Sequence, residues 1–204
     1  DEQLAEEGYV LNPLENGYVA QMELPAARNL ELVSTDANGT ETQCTEDNYS
    51  LACSSINSEN LADYMYRDDV LYIDVRDYVD YAKGHLYGFE SVPYFAFVFN
   101  RAATELDETV NQLYFGDLTN PTSVYAESDA MLKAMFPQDK TLFLMCQSGG
   151  RVSQLMTVLA AKGYDMSKVY NIGGMNQYAA FEQMTTTSEL IVDATYSVDG
   201  LTRN

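Results

Sequence analysis

Thr141-Leu142-Phe143-Leu144-Met145-Cys146-Gln147-Ser148-Gly149-Gly150-Arg151-Val152 is the stretch on which the fold turns. Its first five residues are a short apolar run bounded by Lys140, as a buried strand should be. From Val152 onward, Leu155, Met156 and Leu159 recur at helical spacing. A strand therefore delivers Cys146 to the N-terminus of a helix through a tight turn. Gly149 and Gly150 free the backbone to aim several amide N–H groups at one spot beside the sulfur, which suits an anion. The helix dipole and the Arg151 charge both favour thiolate over thiol at Cys146, so the residue reads as a nucleophile. A buried structural cysteine is the bland alternative, but it needs neither the glycine-rich turn nor the arginine.

Other segments agree with a known pattern. Leu71-Tyr72-Ile73-Asp74-Val75-Arg76, then Tyr81, Gly84-His85-Leu86-Tyr87-Gly88 and Val92-Pro93, look like the first signature of the rhodanese family. Val169-Tyr170-Asn171-Ile172-Gly173-Gly174 with Tyr178 looks like its closing signature, although the family usually has Trp where this chain has Tyr178. The loop from Cys146 to Arg151 resembles the family's six-residue active loop, and the likeness runs from about Ser55 to Thr186.

That resemblance implies a rhodanese-like three-layer α/β fold and a sulfurtransferase. Cys146 matches the nucleophile that takes a sulfane sulfur from a donor such as thiosulfate, becomes a persulfide and passes the sulfur to a thiophilic acceptor. Gln147, Ser148, Gly149, Gly150, Arg151 and Val152 match the loop that holds the persulfide, with Arg151 closing it. Preorganised amides stabilise such a diffuse anion without a metal or an organic cofactor. The partners implied are a small anionic or persulfide sulfur donor and a thiol acceptor, protein-borne acceptors included. Four residues separate Cys146 from Arg151, one fewer than in phosphatase-like and arsenate-reducing relatives, and Met145 stands where tyrosine phosphatases carry histidine. Both features disfavour that chemistry. A non-catalytic binding or redox-sensing module remains the alternative from another class.

Asp74 and Arg76 sit at a strand's end, Arg76 placed to bond loop carbonyls and Asp74 to accept amides or pair with an arginine; both read as support. His85 is the single histidine, and its Gly-His-Leu-Tyr-Gly setting reads as a turn tied together by imidazole rather than as a general base. One histidine and three dispersed cysteines give no metal-ligand spacing.

The chain of 204 residues, 46% hydrophobic, can build one sizeable core. Its net charge of -20 with eleven Lys and Arg excludes nucleic acid and anionic membrane surfaces as natural partners. Thiosulfate would meet a repulsive far field, screened beyond about 8 Å, which favours a neutral or protein-borne donor. Cys44 and Cys53 form an even pair beside lone Cys146, which suits a disulfide and an oxidising compartment. Two unrelated free thiols, or a thiol that resolves oxidised Cys146, are the alternatives. The chain starts at Asp1 without methionine and shows neither a spanning segment nor a signal-peptide core. An extracytoplasmic placement, secreted or tethered as a lipoprotein after removal of a targeting segment, is the expectation.

Residues 1–54 read as a β-rich extension with hairpin turns at Glu15-Asn16-Gly17 and Asp36-Ala37-Asn38-Gly39-Thr40, and residues 55–204 as the rhodanese-like domain. A capped helix is expected from Asn57 or Ser58, helices near Tyr78, Val124, Val152 and Met175, and strands near Leu71, Leu142 and Val169. These make a mainly parallel sheet covered on both faces, with the active loop at a strand's carboxyl end. The link before the active strand is longer than the family's usual one. It reads as an insertion at about 95–130, a helical elaboration whose aromatics pack on the core, with a substrate lid or docking surface as the alternative. The tail from Glu189 through Val198 reads as a last strand beside the N-terminal extension.

Overall fold

The computed structural model describes residues 9–12, 17–20, 22–36, 38–192 and 196–204. Its N-terminal part holds two hairpins, β1 (Tyr9–Asn12) with β2 (Gly17–Ala20) and β3 (Val33–Thr35) with β4 (Glu41–Gln43). Residues 13–16, where the first turn was expected, lie outside the described residues. In the second hairpin the Asp36 carboxylate accepts the amides of Asn38 and Thr40, each at 2.9 Å, so the turn is closed by its own side chain.

The remaining elements follow as β5 (Val70–Asp74), α1 (Tyr78–Lys83), β6 (His85–Leu86), β7 (Glu90–Ser91), β8 (Phe99–Asn100), β9 (Tyr114–Asp117) and β10 (Asn120–Ser123). Then come α2 (Ser128–Met135), β11 (Thr141–Cys146), α3 (Gly150–Ala161), β12 (Val169–Gly174), α4 (Met175–Tyr178), β13 (Thr185–Thr186) and β14 (Ile191–Val192). The central sheet has the order β12-β11-β5-β7-β14, and each of these pairings is parallel.

A parallel sheet has to be covered on both faces, and β11 shows how this one is. Leu142, Leu144 and Cys146 face a core that includes Leu132 and Met135 of α2 and Val152, Leu155 and Leu159 of α3. Phe143 and Met145 face a second core with Ile56, Leu61, Leu86, Met175 and Tyr178. The period of two along the strand thus splits one apolar run between two layers and gives a three-layer α/β fold, with the Cys146 side chain on the α3 side. Helix α3 stops where Gly163, at φ +80°, lets its amide reach Ala160 O at 3.0 Å and that of Tyr164 reach Leu159 O at 3.1 Å, a Schellman ending.

Four expectations are corrected. The segment after Asn57 makes only a 3-10 turn over Leu61–Tyr64, because the Asn57 and Asn60 side chains bond nearby backbone (Glu59 N, Asn57 N and Ser55 O) and compete with a helix ladder. The helix expected near Val124 begins at Ser128, since Val124 is still tied to neighbouring segments: its amide donates to Leu113 O and its carbonyl accepts from Asn204 N, both at 2.9 Å. The inserted segment is β rather than helical. After one π-helical turn at Tyr94–Val98 it forms a sheet of β10-β9-β8, and Tyr94, Phe99, Tyr114, Phe115 and Tyr125 join the α3-side core. Finally, β14 extends the central sheet beside β7 instead of meeting the N-terminal extension; residues 193–195 lie outside the described residues.

The stretch from residue 22 to 56 wraps the edge of the sheet at β12. Tyr170 Oη donates to Pro25 O at 2.6 Å, and Asn29 N to Cys53 O at 2.8 Å. A disulfide joins Cys44 and Cys53, both buried, across a Cα–Cα distance of 5.6 Å. Replacing both cysteines by serine is expected to lower the unfolding free energy by about 2.5 to 3 kcal/mol in the chain-entropy model, to be read from urea unfolding curves fitted with each protein's own m-value. A shift below about 0.5 kcal/mol would show that the cross-link constrains neither state.

Candidate active site

Cys146 ends β11, one residue past a register irregularity against β12, and is 1% exposed. The Gly149 amide donates to its Sγ at 3.1 Å. That contact needs Gly149 at φ +88°, in the left-handed region, and the same residue caps the start of α3. Space enforces glycine here as well: a Cβ would lie 3.1 Å from Leu51 Cβ and 3.2 Å from Asn171 Oδ1. From below, the end of β12 comes so close that a Cβ on Gly174 would sit 2.2 Å from the Gln147 carbonyl carbon and 2.3 Å from Ser148 N. Gln147 is fastened to α4, its side chain donating to Asn176 Oδ1 and its carbonyl accepting from Asn176 N at 3.1 Å. Val152 is fully buried and anchors the first turn of α3 in the core.

The tie that joins these parts is Asn171, a polar residue 2% exposed in the middle of β12. Its Nδ2 donates to Gly149 O at 3.1 Å and to Tyr49 O at 2.9 Å, and its Oδ1 accepts from Gly173 N at 3.1 Å. Ser153 of α3 repeats the pattern, its Oγ lying 2.9 Å from Tyr49 O and 3.1 Å from Gly149 O. The active loop is thus strapped to residues 49–51, the segment that leads into disulfide-bonded Cys53.

Asp74 and Arg76 form a buried pair on the other flank. Arg76 Nε lies 3.0 and 2.9 Å from the two Asp74 oxygens, Nη2 reaches Oδ2 at 2.6 Å, and Nη2 also donates to Gly84 O at 2.7 Å. Burial pushes the Asp74 carboxyl up from the ordinary carboxylate range, against the pull of the Arg76 guanidinium. His85 is buried further along. Its Nδ1 lies 2.9 Å from Tyr81 O, its Nε2 contacts Glu189 O, and its ring stacks on Tyr81, so both nitrogens are held by backbone.

Arg151 is engaged by residues of two other elements. Its Nη1 lies 3.8 Å from Asp77 Oδ2, and its guanidinium rests over the Phe95 ring, 5.3 Å from the centroid. Nη1 is buried without a hydrogen bond among the described residues. Beside Gln147 opens a cleft of about 300 Å³ lined by Arg76, Asp80, Lys83, Met175 and Asn176 among others, in which Lys83 pairs with Asp80 at 3.1 Å and Arg76 with Asp74. The fold therefore gathers Cys146 to Val152 with Asp74 and Arg76 at one end of the sheet, while His85 braces the segment behind them. Among the described residues no three His, Cys, Asp or Glu side chains group as metal ligands would.

Sequence reasoning passed over Asn171, Ser153, Asp77 and Leu51. Only Asn171 carries a local signal, a carboxamide inside an apolar buried strand. A family model described as a Rhodanese-like domain matches residues 57–181, from the turn before β5 to just past α4. No curated protein matches the chain.

Asn171→Ala removes one buried donor group shared by two carbonyls and one acceptor for Gly173. A loss of about 1–3 kcal/mol is expected, together with faster alkylation of Cys146 as the loop loosens. Unchanged alkylation would refute the strap. Arg76→Met leaves Asp74 buried and unpaired, which should cost about 3–5 kcal/mol at neutral pH. Because the folded-state carboxyl is already held above its unfolded value, its penalty appears as pH rises through the folded value. Denaturation of this variant should therefore show a deficit that shrinks as pH falls; a pH-independent deficit would contradict the buried charge.

Proposed function

The chain belongs to the rhodanese-like domain family, and from that premise we propose that it is a sulfurtransferase that carries sulfane sulfur on Cys146 as a persulfide. The observation that carries the proposal is the contact between Gly149 N–H and Cys146 Sγ at 3.1 Å, in a loop strapped by Asn171, Ser153 and Asn176.

A thiolate at this position attacks the outer sulfur of thiosulfate. The new bond joins it to Sγ, the S–S bond of the donor breaks, and sulfite leaves with the bonding pair. The loop amides and the positive end of α3 offset the charge of the resulting persulfide, and they need no reorganisation because the loop is already fixed. An acceptor thiolate then attacks the outer sulfur and releases Cys146 for the next cycle. A net charge of -20 sets small anions at a disadvantage, and Arg76, Lys83 and Arg151 near the loop are each paired with a carboxylate, Asp74, Asp80 and Asp77 respectively. Organic persulfides are therefore ranked with thiosulfate as donors. The Cys44–Cys53 disulfide supports placement in an oxidising, extracytoplasmic compartment.

Incubation with thiosulfate or a low-molecular-weight persulfide should add the mass of one sulfur to the peptide holding Cys146, and cyanide or a thiol should remove it. Cys146→Ser should add none and keep its fold, as read by circular dichroism. An unmodified Cys146 with both donors would reject the proposal and leave a binding or sensing module as the better reading.

A further inference from the structure

Tyr49 and Leu51, which meet the active loop from the N-terminal segment, lie inside the ring closed by Cys44 and Cys53, nine positions apart. Tyr49 O accepts from Asn171 Nδ2 and Ser153 Oγ, each at 2.9 Å. The Leu51 side chain closes the space beside two glycines: a Cβ on Gly149 would lie 3.1 Å from its Cβ, and one on Gly173 3.3 Å from its Cδ1. Asn171 and Ser153 in turn bond Gly149 O, and the Gly149 amide meets Cys146 Sγ at 3.1 Å. The disulfide is therefore linked to the nucleophile by an unbroken series of contacts.

The two ends of the ring are held unequally. Cys53 is fully buried, its carbonyl accepts from Asn29 N at 2.8 Å, and Ser54 beside it bridges to Arg28. Cys44 follows β4, and the β3–β4 hairpin lays no buried side chain on the core: Val33–Thr35 and Glu41–Gln43 are exposed except for half-buried Ser34. The Cys44 amide donates to Leu32 O at 3.0 Å, a bond within the same hairpin. An end with so few buried contacts opens more readily than the core. With the S–S bond cut, the next closure outward joins Asn29 to Cys53, a longer ring that leaves Tyr49 more conformational freedom.

We propose that the Cys44–Cys53 pair is a redox gate on Cys146. Oxidised, it holds Tyr49 and Leu51 against the active loop; reduced by a dithiol, it releases them and Gly149 loses its fixed pose. The inference rests on the sulfur-transfer reading for the activity it regulates, and confines that activity to oxidising surroundings. In the reducing step a thiolate of the dithiol attacks Cys44 Sγ, the S–S bond breaks and Cys53 leaves as thiolate. The reagent's second thiol resolves the mixed disulfide, so two electrons and two protons pass from the dithiol to the pair.

Iodoacetamide tests the gate without any sulfur transfer. Wild-type protein, wild-type protein reduced with dithiothreitol and desalted, and Cys44→Ser/Cys53→Ser are alkylated in native buffer, and the peptide holding Cys146 is followed by mass. Reduced and double-serine proteins should react about tenfold faster than the oxidised one, the worth of about one hydrogen bond. In an Asn171→Ala background, where the strap is already cut, reduction should add no further increase, whereas general loosening of the fold would multiply the two effects. Should Asn171→Ala fail to fold, Ser153→Ala serves, and the two effects should combine to less than their product. Equal rates in oxidised and reduced protein, or fully multiplicative effects, would overturn the proposal.

Loading of Cys146 by thiosulfate should move the opposite way and slow on reduction; loading that keeps its oxidised rate would also overturn the gate. If oxidised wild-type protein takes up no sulfur, the sulfur-transfer reading itself has failed, and alkylation alone decides whether the pair controls Cys146.

Discussion

One buried carboxamide holds the site together. Asn171 spans Gly149 O, Tyr49 O and Gly173 N, and so links the active loop, the N-terminal segment and the glycine pair at the end of β12. Together with Ser153, which bonds the same two carbonyls, it holds Gly149 in the left-handed conformation that brings its amide to Cys146 Sγ. Fixing a backbone residue costs about 1–2 kcal/mol of entropy, and here the fold meets that cost before any substrate arrives. Electrostatic stabilisation of a persulfide depends on this order of events, since amides that must first reorient stabilise little.

The strap also accounts for residues that have no chemistry of their own. Leu51 packs against the space a Cβ on Gly149 would need, Tyr49 gives its carbonyl to the strap while its ring packs on the core under Arg28, and both lie within the loop closed by the Cys44–Cys53 disulfide. Fold stability and the positioning of Cys146 thus share a cause at this edge of the sheet. The family match begins at residue 57, so residues 49–51, which contact the active loop, lie outside the matched range.

The loop was legible in the sequence because strand, turn and helix follow one another within a dozen residues, and their periodicities are local. The layer order was legible for the same reason: Leu142 to Cys146 alternate between two cores as any strand must. The strap was not, because Asn171 and Tyr49 stand 122 residues apart and a backbone carbonyl leaves no mark on residue type. The inserted segment misled in another way. Its aromatic and acidic run reads as a helical elaboration, yet Tyr94–Val98 make a single π-helical turn and β8, β9 and β10 are held by pairings and side-chain closures such as Thr119 N–H to Asp117 Oδ1 at 2.8 Å. The orientation of Arg151 was equally hidden, since its partner ring and carboxylate come from two other elements.

The central claim is that Cys146 accepts sulfur before any acceptor binds. Rapid mixing of the protein with thiosulfate in the absence of acceptor tests it most directly. The account predicts a burst of sulfite equal to about one per chain, followed by arrest, as a covalent intermediate requires. Sulfite that appears only after an acceptor is added would contradict it, because transfer would then pass from donor to acceptor without a persulfide on Cys146.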